Sequence, residues 1–533
     1  MTSSNQVYDV MNKEWKSTCR ILLGGEIGEL KDYEEWLQHY KTPMRMEKSS
    51  ISGKQVNLLT SDYCQGAKFL SFDEVVTGKK FEPLNINQMK DVDSIVESLQ
   101  ERAGYTGNII LGNSKFVENC SNVIDSFYVY ESIIVSNSKN IGFCDTVRGS
   151  ENVFGFKGAA NSGYTMKGCI STNNKRSFEC YFTMGCSDCY YVAKLLNCRD
   201  CLFCFGAENK THAIGNLELP RDKYLQIKTK LLDEIREALK KEKRIFSLLD
   251  VISGAATYGD KLTLEDKEKE KSFDKKVIEQ AFSKTSSVIL KKELENIDNY
   301  AAFLEKHVPK NIFLKSAVSG RQVGILSFAS RVFSSYDVKN RIVSEDEIKQ
   351  IGRISIDKND VEKIDADQEN LSKILSKIAY TTFDIREGNN VNVLKCVEQI
   401  NAESCYNGSA FVHSKKCAYC FWPRESEYIF GSTNILESSF CMKSFYSKKV
   451  ARAFEVDSCE SCTDIYFSHN CENVHDSMFC FNEKNLRYAI GNAPLPVEKY
   501  RTTKAALLEQ VAGELEKKKN IRWDIYNLGC GKV

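Results

Sequence analysis

Tyr224, Ile227, Leu231, Ile235 and Leu239 return every three or four residues after Pro220, the spacing of one apolar stripe along a helix. Tyr500, Leu507, Val511 and Leu515 repeat much of that stripe after Pro496. In both places proline stands where a helix can begin without losing a needed N–H. Upstream, from about Gly107 to Gly215 and again from about Gly388 to Gly491, helical periodicity is absent. Short apolar or aromatic runs alternate there with Asn, Asp, Ser, Gly and Cys. A small motif recurs in them: Asn or Asp, then Val, Ile or Cys, then two residues, then often Ser or Cys. It reads NVIDS at Asn122, NIGFC at Asn140, NVFGF at Asn152, DCYYV at Asp188, DCLFC at Asp200, DIYFS at Asp464 and NVHDS at Asn473. The closer intervals, Asn122 to Asn140, Asn140 to Asn152, Asp188 to Asp200 and Asp464 to Asn473, are all multiples of three.

The chain also repeats itself as a whole. A shift of 267 lays KSSISGKQVNLL, from Lys48, over KSAVSGRQVGIL, from Lys315, and Glu26, Tyr33 and Leu37 over Glu293, Tyr300 and Leu304. After a short insertion in the second copy, a shift of 276 carries Gly112 through Tyr224 onto Gly388 through Tyr500 without a further gap. RGSENVFG, from Arg148, meets RESEYIFG, from Arg424; FCFGAENKTHAIGNLELPRDKY, from Phe203, meets FCFNEKNLRYAIGNAPLPVEKY, from Phe479. The chain is two related halves, each running helix, β-like middle and closing helix.

Short strands, each followed by a corner with a small polar residue, fit a parallel β-solenoid, in which inward apolar side chains and corner Asn side chains stack from coil to coil. The scarcity of proline in these segments fits strands paired on both sides. A β-sandwich would show longer polar and apolar alternation. The expected fold is therefore α+β: a tandem duplication of a parallel β-solenoid (β-helix) half flanked by capping α-helices. The expected boundaries are 1–44 for an N-terminal helical segment, 45–217 for the first β-solenoid half, and 218–311 for a helical cap, charged linker and helical segment of the second copy. The second β-solenoid half follows at 312–493, and a closing helix and tail at 494–533. The mixed charge run KLTLEDKEKEKSFDKK, from Lys261, reads as a solvated helix or linker between the copies.

NCRDCLFCFGAENKTHAIGNLELPRDKY, from Asn197, resembles the carboxy-terminal signature of uncharacterised cysteine-rich repeat proteins of archaea and candidate-phylum bacteria. Those repeat NCxxC units and end in an FGC-like turn, a strand and a helix. The resemblance covers only the closing stretch of each half and implies fold, with no activity to transfer. Those proteins often carry an amino-terminal zinc ribbon that has no counterpart here, so their metal does not carry over. The Asp-Cys and Asn-Cys dipeptides are similar, at the level of fold, to the β-helix of cyclase-associated protein and tubulin-binding cofactor C.

Composition adds one oddity. Among 533 residues there are 21 cysteines and 7 prolines, while 73 basic against 72 acidic side chains leave a net charge of +1. Length gives a prior of about three or four domains. A balanced charge does not point to nucleic acid, no apolar run reaches the roughly 20 residues of a membrane span, and MTSSNQVYDV lacks the layout of a signal peptide. The thiols are accordingly expected to be reduced, in a cytoplasmic protein.

The cysteines carry the sharpest chemical candidate. Cys186, Cys189, Cys198 and Cys201 form C-x2-C-x8-C-x2-C, and Cys459, Cys462, Cys471 and His475 form C-x2-C-x8-C-x3-H; either could hold zinc, and the first an iron–sulfur cluster. Duplication argues the other way. Under the 276 shift only Cys120/Cys396, Cys144/Cys420, Cys186/Cys462 and Cys204/Cys480 coincide, while Cys189, Cys198 and Cys201 meet Ile465, Val474 and Ser477. A stacked interior tolerates such exchanges because a reduced Cys behaves as a small hydrophobe; a ligand set does not. No metal or other cofactor is favoured, with zinc and then iron–sulfur as the alternatives.

No catalytic set is favoured either. None of the six histidines overlies another. The acids that recur, Asp188/Asp464, Asp200/Asp476, Glu151/Glu427 and Glu179/Glu455, read first as corner hydrogen bonders and partners of Arg148, Arg176, Arg424 and Arg452. ILLGGEIGEL, from Ile21, overlies VILKKELENI, without glycine, and reads as helix rather than phosphate loop. The leading expectation is a non-catalytic structural or interaction protein offering extended surfaces to protein partners or to its own copies, without membrane insertion. A metal-binding protein and a solenoid enzyme with one active half are the alternatives.

Overall fold

The computed structural model describes residues 3–257, 262, 264 and 273–530; most of the charge run from Lys261 lies outside them. The chain is α+β, with one sheet of 14 strands and one of 15, mostly parallel. It divides into two compact units, Met1–Met44 with Asn108–Lys269 and Ile312–Asp384, and Arg45–Gly107 with Glu270–Asn311 and Ile385–Val533. Among the described residues no helix is long and apolar enough to cross a membrane.

Both sheets are built on a step of three. From Phe116 to Gly215, and from Asn401 to Gly491, every third residue has positive φ. A left-handed non-glycine residue costs about 1–2 kcal/mol, so such a series persists only because each turn lies against a like turn in the next strand. Asn and Asp bear that conformation best, and all seven that head the recurring motif occupy it: Asn122, Asn140, Asn152, Asp188, Asp200, Asp464 and Asn473. The residue after each of them is buried: Val123, Ile141, Val153, Cys189, Cys201, Ile465 and Val474. The motif thus marks a corner followed by an inward side chain, and its spacing in threes is the step of the backbone.

In the first unit, strand pairing advances by a constant increment. Lys139 pairs with Glu151, Glu151 with Gly163, Gly163 with Lys175, Lys175 with Ser187, Ser187 with Arg199, and Arg199 with Thr211, each pair 12 apart in number. The sheet closes on an antiparallel strand, Leu217–Glu218, and the helix Arg221–Glu242 follows. Trp15 of the helix Ser3–Leu23 packs on Phe154 and Tyr33. Segment 312–384 docks at the closing end of the sheet, where Ile356 N–H donates to Gly215 O at 3.0 Å, Asn216 Nδ2 donates to Ile354 O at 3.0 Å, and Lys194 pairs with Glu345 at 2.8 Å.

The second unit repeats the plan. Its register runs Glu403, Lys415, Glu427, Ser439, Ala451, Thr463, His475, Arg487, by the same increment. The strand Ala493–Pro494 closes it antiparallel, and the helix Val497–Lys518 follows. Here segment 45–107 does the docking: Asn482 Nδ2 donates to Gly104 O at 2.8 Å and Arg102 Nη1 to Gly491 O at 2.7 Å.

The two docking segments are counterparts under the duplication, each opening with a hairpin, Arg45–Lys48 with Gln55–Leu58 and Ile312–Lys315 with Gln322–Ile325. By chain order 45–107 stands with the first large sheet and 312–384 with the second; in space each belongs to the unit of the other sheet. Chain order says nothing about which of two similar sheets a docking segment meets, so duplication permits the exchange.

The thiols also differ from expectation at one place. Cys64 and Cys530, both in the second unit, form a disulfide, where the sequence reads all cysteines as reduced.

Candidate functional site

The residues that recur in both halves converge on the two interiors and on one column beside each. In the first unit the side chains facing inward are Cys120, Val123, Val129, Val135, Ile141, Cys144, Val147, Val153, Phe156 and Ala159, then Cys180, Cys186, Cys189, Val192, Leu195, Cys198, Cys201, Cys204, Ala207 and Ala213. All lie at multiples of three. In the second unit all nine cysteines from Cys396 to Cys480 fall in the same interior series. A close-packed interior with a step this short has room mainly for small side chains, which is why Cys, Val, Ser and Ala recur.

Inside, the thiols do more than fill space. Cys186 Sγ donates to Met184 O at 3.3 Å, Cys189 Sγ to Ser187 O at 3.3 Å, Cys198 Sγ to Leu196 O at 3.4 Å, and Cys201 Sγ to Arg199 O at 3.4 Å. Cys459, Cys462 and Cys471 donate in the same way to Asp457, Glu460 and His469 carbonyls at 3.4, 3.2 and 3.5 Å. Serine performs this role in earlier strands. Ser126, Ser138 and Ser150 stand in one column, each hydroxyl accepting from the N–H of the next serine along it: Ser138 N at 3.1 Å, Ser150 N at 3.1 Å and Ser162 N at 3.0 Å. Asn174 and then Cys186 continue that column, and Lys210 N–H donates to Cys198 Sγ at 3.4 Å. A thiol therefore replaces a hydroxyl as the group that satisfies a buried corner.

This environment disfavours the thiolate at Cys144, Cys189 and Cys459. Burial pushes Cys144 up to about 12 and lifts Cys459 well above the ordinary range. Contacts with the Cys186 and Cys201 thiols, with burial, do the same to Cys189. The nucleophile and the metal ligand is the thiolate. Cys186, Cys189, Cys198 and Cys201 share one interior, as do Cys459, Cys462 and Cys471. His475 is not with the latter: its ring is half-buried, Nδ1 accepting from Thr463 Oγ1 at 2.7 Å and Nε2 donating to Asn473 Oδ1 at 2.9 Å. Among the described residues no group of three or more His, Cys, Asp or Glu side chains is arranged to hold a metal ion.

The recurring acids divide into two kinds. Asp188 accepts from Arg176 Nε and Nη2 at 2.7 and 2.6 Å, Asp464 from Arg452 at 2.8 and 2.6 Å, and Asp200 from Lys228 at 3.2 Å. Glu151 lies 3.7 Å from Lys139. Apart from the Lys228 contact, which comes from the closing helix, these are ion pairs between neighbouring strands. Glu179 and Glu455 are different: both are fully buried, one strand beyond the buried Lys167 and Lys443, which the sequence reading passed over although they too coincide under the 276 shift. Lys167 Nζ donates to Trp36 O at 3.0 Å and lies 4.0 Å from the Tyr40 ring centre. Lys443 Nζ donates to Phe303 O at 3.0 Å. Glu179 Oε2 accepts from Tyr181 OH at 2.7 Å and Leu248 N–H at 3.1 Å, and Glu455 Oε2 from Ile525 N–H at 3.1 Å. Burial disfavours both charges: it brings Lys167 down to about 8, with Glu179 opposing the shift, and Glu455 up to about 7, with Lys443 opposing.

These pairs tie flanking segments to the sheets. Trp36 and Phe303 lie in short helices, Glu34–Gln38 and Ala301–Leu304, whose carbonyls the lysines take up. One strand before each lysine is a left-handed glycine; a Cβ on Gly155 would sit 3.0 Å from Leu37 O, and one on Gly431 2.8 Å from Leu304 O. The column Gly, Lys, Glu thus seats one helix per unit.

The second unit adds groups with no counterpart in the first. His469 Nδ1 donates to Asp457 Oδ2 at 2.8 Å, its Nε2 accepts from Thr106 N–H at 2.8 Å, and Tyr63 OH donates to the same carboxylate at 3.1 Å. All are buried, and both imidazole nitrogens are occupied. His307 lies between two carboxylates, Nδ1 3.2 Å from Asp62 and Nε2 3.1 Å from Asp524. No family model matches the chain, and neither a curated protein nor a solved structure is significantly similar to it.

Proposed function

We propose that each sheet is a β-solenoid whose coils advance in a register of 12, and that the chain is a non-catalytic interaction protein presenting its coil ends to protein partners. The support for the solenoid is that constant register together with a left-handed residue at every third position. The observation that carries the function is the condition of the opening strands. Among the described residues, Lys115–Glu118 pairs with a neighbour on one side only, as does its counterpart Val391–Cys396. Phe116 is 40% exposed in the first, and Val391 and Leu394 are 50% and 39% exposed in the second. A parallel edge with apolar side chains is a template for another polypeptide segment. Asp188, Asp464, Asp200, Glu151, Glu179 and Glu455, by contrast, are engaged in ion pairs and helix seats.

The test is capture from extracts of the native cells with wild-type protein and with a Phe116→Asp/Val391→Asp variant of unchanged melting temperature. The proposal expects discrete partners that the variant loses. Equal capture by both, or about two equivalents of zinc per chain after purification without oxygen, overturns it.

A further inference from the structure

The disulfide joins positions 466 residues apart, in the second unit. Cys64 lies in the turn between the strands Gln55–Leu58 and Lys68–Ser71, and Cys530 at the end of the tail that follows the helix Val497–Lys518. Both are partly exposed, whereas each of the other 19 cysteines is buried. Dissolved reductants and oxidants therefore meet this pair and are kept from the interior thiols.

The surroundings hold the two sulfurs together without help from the bond. Cys64 N–H donates to Tyr526 O at 3.1 Å, and the Tyr63 and Tyr526 rings meet edge to face at 5.2 Å. Tyr105 OH donates to Ile525 O at 2.8 Å and accepts from Gly529 N–H at 3.1 Å. The turn at 60–66 and the tail at 523–530 are pinned on either side of the sulfurs, so opened thiols stay opposite one another, ready to close again.

We propose that Cys64–Cys530 is a reversible redox clasp fastening the docking segment 45–107 to the carboxy-terminal tail. A dithiol reductant attacks one sulfur as its thiolate, and a mixed disulfide forms. The second reductant thiol then displaces the protein sulfur: two electrons and two protons pass to the protein, giving two thiols, and the reductant leaves as its disulfide. Opening removes the covalent tie and leaves only the non-covalent contacts between the turn and the tail, so transient openings that uncover Tyr63, Tyr105 and Tyr526 become more frequent while the thiols still return to one another. Re-oxidation returns the tie.

The test uses the full chain. Maleimide labelling of air-oxidised native protein is expected to add nothing; after mild treatment with a dithiol it adds two groups, at Cys64 and Cys530, and after unfolding and reduction it reaches all 21 cysteines. Amide hydrogen exchange at 60–66 and 523–530 is expected to rise at least tenfold on reduction and to fall back on re-oxidation. Cys530→Ala is expected to show the fast exchange without reductant; Cys64→Ser is the second variant should the first fail to express. Labelling of both cysteines in air-oxidised protein, spread of label to interior thiols in the native state, or exchange unchanged by reduction each overturns the proposal.

Discussion

Lys443 Nζ lies 3.0 Å from the carbonyl oxygen of Phe303, and in the first unit Lys167 Nζ stands at the same distance from Trp36 O. A buried ammonium is thus used twice to hold a short helix, with a buried carboxylate, Glu455 or Glu179, one strand further on. Because burial costs both charges heavily, the pair holds only while both members are present.

Lys443→Met alone is expected to lower stability by about 1–3 kcal/mol, since it leaves Phe303 O without its buried donor and Glu455 without its nearby cation. Lys443→Met with Glu455→Gln should recover the part of that loss that comes from Glu455. Denaturant unfolding of the two variants decides it; equal loss in both would show that Lys443 acts through its bond to Phe303 O and its packing, not through Glu455.

Gly431→Ala should destabilise by about 2 kcal/mol or more, combining a left-handed backbone with a Cβ 2.8 Å from Leu304 O. Gly320, also left-handed but open within 4 Å, should tolerate alanine better. The difference in melting temperature between the two variants separates close approach from backbone preference.

Cys186 continues the column of Ser138, Ser150, Ser162 and Asn174, and Cys189 the column of Val129, Ile141, Val153, Thr165 and Ser177, so hydroxyl and branched apolar side chains both stand in these interior positions. Cys186→Ser and Cys189→Val are therefore expected to cost less than about 1.5 kcal/mol each. The same substitutions in a metal site would remove two ligands and change metal content, so elemental analysis beside the melting curve distinguishes the roles.

His307 gives the second unit a pH dependence. Burial alone would lower its pKa, but hydrogen bonds to Asp524 and Asp62 outweigh burial and raise it above 6.5, while both carboxylates are held below 3.8. For a raised histidine the stabilisation is full below pH 6.5 and fades as pH climbs through the folded value; for the lowered carboxylates it is present above pH 3.8 and fades as pH falls below it. Thermal stability should therefore drop as pH climbs above 6.5, and His307→Asn should flatten that slope. A slope unchanged by the substitution would place its origin elsewhere.

The step of three is written in the residues. Asn and Asp head each motif because they tolerate the left-handed corner, and the following Val, Ile or Cys is the inward residue; both facts are local. The duplication likewise showed that Cys189, Cys198 and Cys201 stand where Ile, Val and Ser serve as well. The lysines were equally visible, since Lys167 and Lys443 coincide, but a charged side chain at a repeating position looks like a surface residue until a helix is seen to cover it. The acids Asp188 and Asp464 pair with Arg176 and Arg452 as expected, because those pairs join facing positions of adjacent strands.

What the sequence determined by itself was the plan of each half: corners, inward positions and closing helices, all fixed by conformational preferences and contacts between adjacent strands. Only the tertiary structure decided which segment docks on which sheet, which lysine is buried, and that Cys64 meets Cys530. Those outcomes depend on contacts between segments far apart along the chain, and in a duplicated chain each such segment has two similar surfaces to choose from. Local preference is the same for both, so the choice is made by packing alone.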